Sequence, residues 1–180
     1  MDNLLLENVE YKIQKTSLGV WRRFLYTTGD RFAEFKTTTT WFGFPLLHYT
    51  RGICPETGKR VVARGIVAVG RLAVGILAIG QASFGIVAIG QLAVSFLFGL
   101  GQGVIGWIVL GQVAIGVKLG IGQLATGFTA IGQLGIGRYV LGQAAFGEHV
   151  WCSRRADPEA VKYFNALLER AHEFFANFVG

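Results

Sequence analysis

The chain has 180 residues and a net charge of +6, and 52% of its residues are hydrophobic while only 16% are charged. This length suits a single domain, and so little charge is unusual for a soluble protein. The basic residues are scattered and the middle of the chain is almost uncharged, which argues against a nucleic-acid partner.

Residues 1 to 37 are predicted to form an N-terminal cap. The first residues are acidic rather than basic, and no long apolar run follows them, so we expect no signal peptide and a protein reached from the cytoplasmic side. Thr27 to Asp30 predict a turn. Trp21, Arg22 and Arg23 place an aromatic ring beside two cations, either as part of a packed cap or as anchors at a membrane interface.

Residues 38 to 151 are predicted to form one repeat region, with regular pentads from residue 65 onward. Glycine opens the pentads at positions 65, 70, 75, 80, 85, 90, 101, 106, 111, 116, 122, 127, 132, 137, 142 and 147, and Ser95 replaces one glycine. In alternate pentads the next residue is glutamine: Gln81, Gln91, Gln102, Gln112, Gln123, Gln133 and Gln143. The pentads between them carry an apolar residue there: Ile76, Ile86, Phe96, Trp107, Val117 and Phe128.

The pentads predict strand rather than helix. On a helix at about 100° per residue, a step of five or ten residues would place neither the glycines nor the glutamines on one face. A four-sided β-solenoid uses the pattern: each pentad is one side, glycine makes the corner, and a coil closes after about twenty residues. The glutamines would then form two ladders. Two segments, 95 to 100 and 116 to 121, contain one extra residue each and are expected to form bulges.

The pentad also predicts which side chains face inward. Because side chains alternate along a strand, positions 3 and 5 share one face and positions 2 and 4 the other. We expect positions 3 and 5 inside, with glutamine and alanine outside; the inverse, with glutamine inside and an aliphatic exterior, stays open. Residues 72 to 117 contain no Asp, Glu, Lys, Arg or His. Such a surface needs a cover of lipid, a second copy or another protein.

In its period the chain resembles the pentapeptide-repeat solenoids, although their Ala-Asp/Asn-Leu-x-x consensus is missing. It is more similar to a group of bacterial proteins with tandem Gly-x-x-Ala-Ile/Val repeats, which are often membrane-associated. The similarity covers residues 38 to 151, including the lead-in FGFPLLHYTRGICPETGKRVVARGIVAVG. It implies a solenoid fold and carries no activity over to this chain.

Residues 152 to 180 are predicted to hold a C-terminal amphipathic α-helix. Asp157 suits the N-cap and Pro158 the first turn. An apolar stripe recurs at steps of three and four: Val161, Phe164, Leu168, Ala171, Phe175 and Phe178. The stripe predicts a lid over the last coil, with a helix dimer or a membrane-surface helix as the alternatives.

No residue pattern in the chain suits catalysis. Residues 65 to 147 lack carboxylates for acid–base chemistry. His149 and Cys152 are too few ligands for a zinc site, His48 and His172 are isolated, and Cys54 and Cys152 are expected to be free thiols. We therefore predict no enzyme, no cofactor, no metal and no small-molecule substrate.

The sequence favours a non-catalytic, membrane-associated β-solenoid with a structural or scaffolding role. A lipid bilayer is the expected partner. One alternative is a soluble module that self-associates as a homo-oligomer or binds a protein partner. Another is a polytopic helical membrane protein.

Overall fold

The structure is a computed structural model that describes residues 9 to 179, with side chains described for 9 to 177. It is mostly β with one C-terminal helix, so the predicted all-β class is confirmed. The chain divides into two compact units, Met1–Gly101 and Gln102–Gly180, a division that the sequence did not predict. The elements are β1 (Lys12–Lys15), β2 (Gly19–Leu25), β3 (Arg31–Thr37), β4 (Thr40–Trp41), β5 (Phe44–Pro45), β6 (Leu47–Arg51), β7 (Ala63–Cys152), β8 (Arg155–Ala156) and α1 (Pro158–Val179).

The first unit begins with an antiparallel meander that leads into the repeats. β1 pairs with β2, β2 with β3 and β3 with β6, all antiparallel. The predicted turn joins β2 to β3, with the Gly29 amide donating to the Tyr26 carbonyl at 3.0 Å. β6 then pairs in parallel with the start of β7, where Leu47 faces Val67. The edge strand β1 is short and ends in lysines, which disfavours strand addition at that edge.

β7 folds back on itself every ten residues. A Cβ added at Gly75 would clash with the carbonyl oxygen of Gly65, and in the second unit one at Gly132 would clash with that of Gly122. An extended segment of ten residues would separate such pairs by about 33 Å, so the chain must reverse direction within each ten. The predicted twenty residues per coil is therefore wrong, and the repeating step is half that length.

Glycine leads the pentads because neighbouring backbones approach closely. We expected corners with an unusual φ, but among the described glycines of β7 only Gly127 has a positive φ, at 150°. At Gly85, Gly90 and Gly137 a side chain would instead clash with the carbonyl of the glycine ten residues earlier. The glycine requirement is therefore steric rather than dihedral at these positions.

The fourth residue of the pentad, not the third and fifth, forms the interior. The core residues of this kind in the first unit are Ala63, Ala68, Ala73, Ala78, Ala88 and Ala93, and in the second unit Val104, Val109, Ala114, Ala125, Ala130, Val140 and Val150. Fifth-position residues such as Ile79, Phe84 and Ile105 are exposed. The expected inward face was wrong because a ten-residue step leaves room for only one layer of small side chains.

The inserted residue at 116 to 121 lengthens the step to eleven. Gly122 lies against Gly111, and a Cβ at Gly127 would lie 3.0 Å from the carbonyl oxygen of Gly116. Glycines on either side of this segment keep the step of ten. The predicted bulge is confirmed here.

Helix α1 packs on the second unit only through its first half. The Asp157 carboxylate caps it by accepting from the Glu159 amide at 3.1 Å. Ala160 and Phe164 are buried, and Tyr163 stacks on Tyr139 with ring centroids 4.1 Å apart. All residues from 168 to 177 are exposed. The prediction of a lid therefore fits only the first half of the apolar stripe. The Phe178 side chain lies outside the described residues.

Candidate functional site

The residues predicted as an apolar outer face are exposed in both units. In the first unit these are Ile76, Ile86 and Phe96, and in the second Trp107, Val117 and Phe128. Phe96 is 79% exposed, which is high for a large apolar side chain in a strand. The fifth position adds further apolar surface, with Phe84 61% exposed. Each unit thus presents large apolar side chains outward over a core made mainly of alanine and valine.

A groove of about 710 Å³ runs beside the repeats of the first unit. Second- and fifth-position residues line it: Ile66, Val74, Ile76, Phe84, Ile86, Val94 and Phe96. The β4–β5 hairpin contributes Phe42 and Phe44. Among the residues that the structure describes, Arg64 is the only charged one that lines this groove, which we call the apolar groove.

The β4–β5 hairpin presents aromatic rings at its tip. Phe42 and Gly43 have φ values of 50° and 79°, the pattern of a type I′ turn. A phenylalanine in this left-handed region is unusual, because glycine, asparagine and aspartate are the residues that adopt it readily. Phe42 is nevertheless 81% exposed, and Trp41 and Phe44 are exposed beside it. Backbone strain of this kind concentrates at functional positions.

The predicted glutamine ladder residues are all exposed, and five of the seven line grooves other than the apolar groove. These seven residues are Gln81, Gln91, Gln102, Gln112, Gln123, Gln133 and Gln143. In the first unit Gln81 lines a groove with Val69, Ile79 and Ile89. In the second unit four glutamines line a groove of about 920 Å³ beside Ile121, Ile131 and Leu141. In the first unit, therefore, the apolar second-position residues and Gln81 belong to different grooves.

The three proposed interfacial anchors do not act together. Trp21 packs against Phe35 with centroids 4.8 Å apart, and the Arg23 guanidinium lies 4.6 Å from the Trp21 ring centre. Arg22 points to the other face of β2, where it forms an ion pair with Glu34. Trp21 and Arg23 are thus brought together, while Arg22 belongs to a separate polar cluster.

That cluster surrounds Glu34, which is buried in the N-terminal meander. Its carboxylate accepts from Lys36 Nζ at 2.9 Å, from His48 Nε2 at 3.0 Å and from Arg22 Nε at 3.0 Å. Burial by itself raises the pKa of Glu34, but the hydrogen bonds from His48, Lys36 and Arg22 outweigh it and hold the pKa well below its usual range. Glu34 therefore stays ionised and ties three strands together.

His48 links this cluster to the first repeat. Its Nδ1 accepts a hydrogen bond from the Arg64 amide at 2.8 Å, which assigns the ring proton to Nε2, the atom that donates to Glu34. The expectation that His48 is isolated was wrong. Residues 34, 36 and 48 lie on adjacent strands β3 and β6, so only the strand register, absent from the sequence pattern, could have revealed the cluster.

Cys54 is buried at the start of a largely exposed turn before the repeats, and neither described cysteine is in a disulfide. Burial raises the pKa of the Cys54 thiol, but hydrogen bonds from Thr57, Glu56 and Tyr11 outweigh it and lower the pKa overall. The Tyr11 hydroxyl lies 3.8 Å from Cys54 Sγ, and burial raises the pKa of Tyr11. The described contacts of Cys54 thus hold one buried thiol in place at the base of the turn.

His149 packs against the N-terminal end of helix α1. Its ring stacks on Tyr139 at 4.9 Å, and its Nδ1 lies 3.5 Å from Asp157 Oδ2. No group of three His, Cys, Asp or Glu side chains that could hold a metal occurs among the residues the structure describes. Within that same part of the chain, no helix has the length and hydropathy needed to cross a bilayer.

No protein-family model matches this chain, and neither does a curated protein or a solved structure. The resemblance to the Gly-x-x-Ala-Ile/Val repeat proteins therefore stays a prediction from the sequence. The apolar surface, the apolar groove and the aromatic hairpin are the features on which a functional proposal can be based.

Proposed function

We propose that this protein is a non-catalytic, membrane-associated β-solenoid with a structural or scaffolding role. The observation that carries the proposal is the exposed apolar surface of the charge-free run 72 to 117. Contiguous apolar surface beyond a few hundred Å² marks a site of interaction with another protein or with a membrane. Water alone is a poor environment for so many large aliphatic and aromatic side chains.

A two-sided solenoid with ten residues per coil is the form of the fold that we infer. Two observations support it: glycines ten residues apart approach each other, and burial recurs at the fourth residue of each pentad. A chain that reverses twice in ten residues has two short sides and a single inner layer. Alanine and valine fit such a layer, and most of the larger side chains then point outward.

Lipid is favoured as the cover in the first unit because aromatic, aliphatic and basic residues occur together there. Trp41, Phe42 and Phe44 protrude from the hairpin, and tryptophan and other aromatic residues suit the interface between headgroups and hydrocarbon. The first unit also contains most of the basic residues of the chain, which would favour an anionic membrane surface. Phe42 keeps its left-handed backbone conformation although its ring is largely exposed and contributes little to the core.

A second candidate function, a soluble module that binds a copy of itself or a partner, is favoured by one observation. The distal half of α1 is exposed and carries Leu168, Phe174 and Phe175 at 63%, 67% and 65% exposure. An amphipathic helix half without a partner can form a helix pair. The polytopic helical alternative does not fit, because the repeats form strand β7 throughout.

Flotation of the purified full-length protein with vesicles of mixed neutral and anionic phospholipid tests the proposal. We expect the protein to float with the vesicles and Phe42→Asn to lower the partition coefficient about tenfold or more, because burying a phenylalanine contributes about 1.5–3 kcal/mol. Asparagine tolerates the left-handed backbone, so the turn should survive. Phe174→Ser, at another exposed site on α1, is the control and should float normally.

The contrary result would be a protein that stays at the bottom of the gradient and sediments as a monomer without detergent. If it stays below as a dimer, the self-association module is supported instead. In that case Ile86→Ser, Phe96→Ser and Trp107→Ser together should give a monomer with an unchanged circular dichroism spectrum.

A further inference from the structure

We propose that the apolar groove of the first unit binds one long-chain fatty acid, with its carboxylate at Arg64 and its hydrocarbon chain along the repeats toward Phe96. This inference deepens the proposed function, on whose premise of a lipid-covered exterior it rests. It concerns binding of a single amphiphile and not association with a bilayer.

The groove has the chemistry of a hydrocarbon site. Its volume of about 710 Å³ falls within the range of about 300–1,000 Å³ that is usual for small-molecule sites. Aliphatic and aromatic side chains line it, with Phe42 and Phe44 from the hairpin in addition to the pentad residues. Such a lining offers an apolar ligand contact along its length.

The length of the groove matches one acyl chain. Ile66, Ile76, Ile86 and Phe96 line it at steps of ten residues. Neighbouring strand segments lie about 4.8 Å apart, so three steps cover about 14 Å. One leaflet of the hydrocarbon core, which an acyl chain spans, is about 15 Å thick, half of the 30 Å of a bilayer. The row is therefore as long as the chain of an ordinary lipid.

The charge of the groove selects an anionic head and a single chain. Arg64 is the only charged residue among its described lining residues and directly precedes the pentad of Ile66, so the cation lies at the Ile66 end. The Arg64 side chain is exposed and takes part in none of the ion pairs found among the described residues. One cation at the end of one apolar row complements one carboxylate at the end of one chain, whereas a phospholipid would bring a second chain.

Titration calorimetry with a homologous series of fatty acids, from octanoate to palmitate and below their micelle concentrations, tests the inference without membranes. We expect one site per chain of protein and an affinity that rises up to about fourfold for each added CH₂ until the row is filled, from about 0.8 kcal/mol for each buried CH₂. An affinity that does not depend on chain length would overturn the proposal.

Variants separate the head site from the chain site. Arg64→Gln should lower the affinity for a fatty acid about two- to fivefold, as for an exposed ion pair, and leave the affinity for the alcohol of equal chain length unchanged. Ile86→Glu should abolish binding, because it places a carboxylate in the row. Leu72→Glu, at a similarly exposed position that does not line the groove, is the matched control and should bind normally.

Three outcomes count against the fatty acid. Equal loss in the Ile86 and Leu72 variants would mean that binding is unspecific adsorption to the apolar exterior. An unchanged affinity of Arg64→Gln for a fatty acid would mean that Arg64 does not bind the carboxylate. A protein that sediments as a dimer and takes up no fatty acid would mean that a second copy fills the groove. Failure here leaves vesicle flotation untouched, so the two proposals can fail separately.

Discussion

Gly135 and Val140 offer a sharp test of the single-layer core. Both occupy the fourth position of their pentads, where most other pentads have alanine. A Cβ added at Gly135 would clash with Cγ1 of Val140, while Ala130 Cβ would lie at 3.7 Å, an ordinary contact. Val140 is completely buried. The missing methyl at 135 therefore makes room for the larger side chain at 140.

Each single substitution should destabilise the protein, for opposite reasons. Gly135→Ala overpacks the layer, and valine cannot easily rotate away because its χ1 is restricted, so we expect a loss of about 1–3 kcal/mol. Val140→Ala removes two buried carbon atoms and leaves a cavity, with an expected loss of about 2–3 kcal/mol. The double variant recreates the alanine pair of other coils and should lose only about 1 kcal/mol.

Urea denaturation of the four proteins, followed by far-ultraviolet circular dichroism, measures the cycle. The expected coupling between the two sites is about 2 kcal/mol or more in the stabilising direction, well above the error of such cycles. The midpoints can be compared only where the m-values agree. Additive losses would refute the reasoning, since they would mean that residues 135 and 140 do not share one layer.

Three further predictions concern other parts of the chain. The pKa of Glu34 is depressed in the folded state, so the stability that it confers should be complete above about pH 5 and should fall as the pH drops below about 4.3, its unfolded value. Glu34→Gln should remove this pH dependence in urea titrations and should lower the free energy of unfolding by about 1.5–3 kcal/mol at neutral pH. Gly85→Asn should unfold the repeats, because a Cβ there meets the carbonyl ten residues earlier, whereas Gly29→Asn, at a φ of 88° with no neighbour within 4 Å, should leave the thermal midpoint nearly unchanged. Phe164→Ala should destabilise by about 3–5 kcal/mol, since this ring is buried under α1; an unchanged midpoint would show that the helix is not docked.

The period of the repeats could be predicted from the sequence, but not the way in which a coil closes. Glycine every fifth residue and glutamine every tenth fit both a ten-residue and a twenty-residue coil. A ten-residue coil leaves almost no room for two layers of side chains, which favours the longer coil if two layers are expected. The structure instead shows close approaches at steps of ten residues and one inner layer, mainly of alanine and valine, so the expectation of two layers was wrong.

The prediction of the inward face was wrong because side chains alternate strictly only along straight strands. Positions 2 and 4 share a face only while the strand runs straight, and here each side is too short. Ile86 therefore points outward although Ala88, two residues later, is completely buried. Size was the better guide: the position that is regularly small is the one that faces inward.

The polar cluster around Glu34 lay beyond the reach of sequence patterns for a different reason. Its members come from separate strands of a meander whose register depends on turns of irregular length. The helix, in contrast, was predictable because its cap and its apolar stripe are local. The exposure of its second half was not predictable. An apolar stripe shows which residues a helix can bury, but not how far along the helix the surface that it packs against extends.

An alanine layer has an energetic consequence for the whole repeat region. Apolar burial contributes about 25 cal/mol for each Å² removed from water, and alanine offers little area, so each ten-residue step gains less from its interior than an ordinary core does. The large residues that could supply the difference, such as Phe84 and Phe96, lie outside. A cover that binds only the folded chain would stabilise it by mass action. The pattern that leaves only small side chains inside therefore leaves the folded state open to stabilisation by a cover on its exterior.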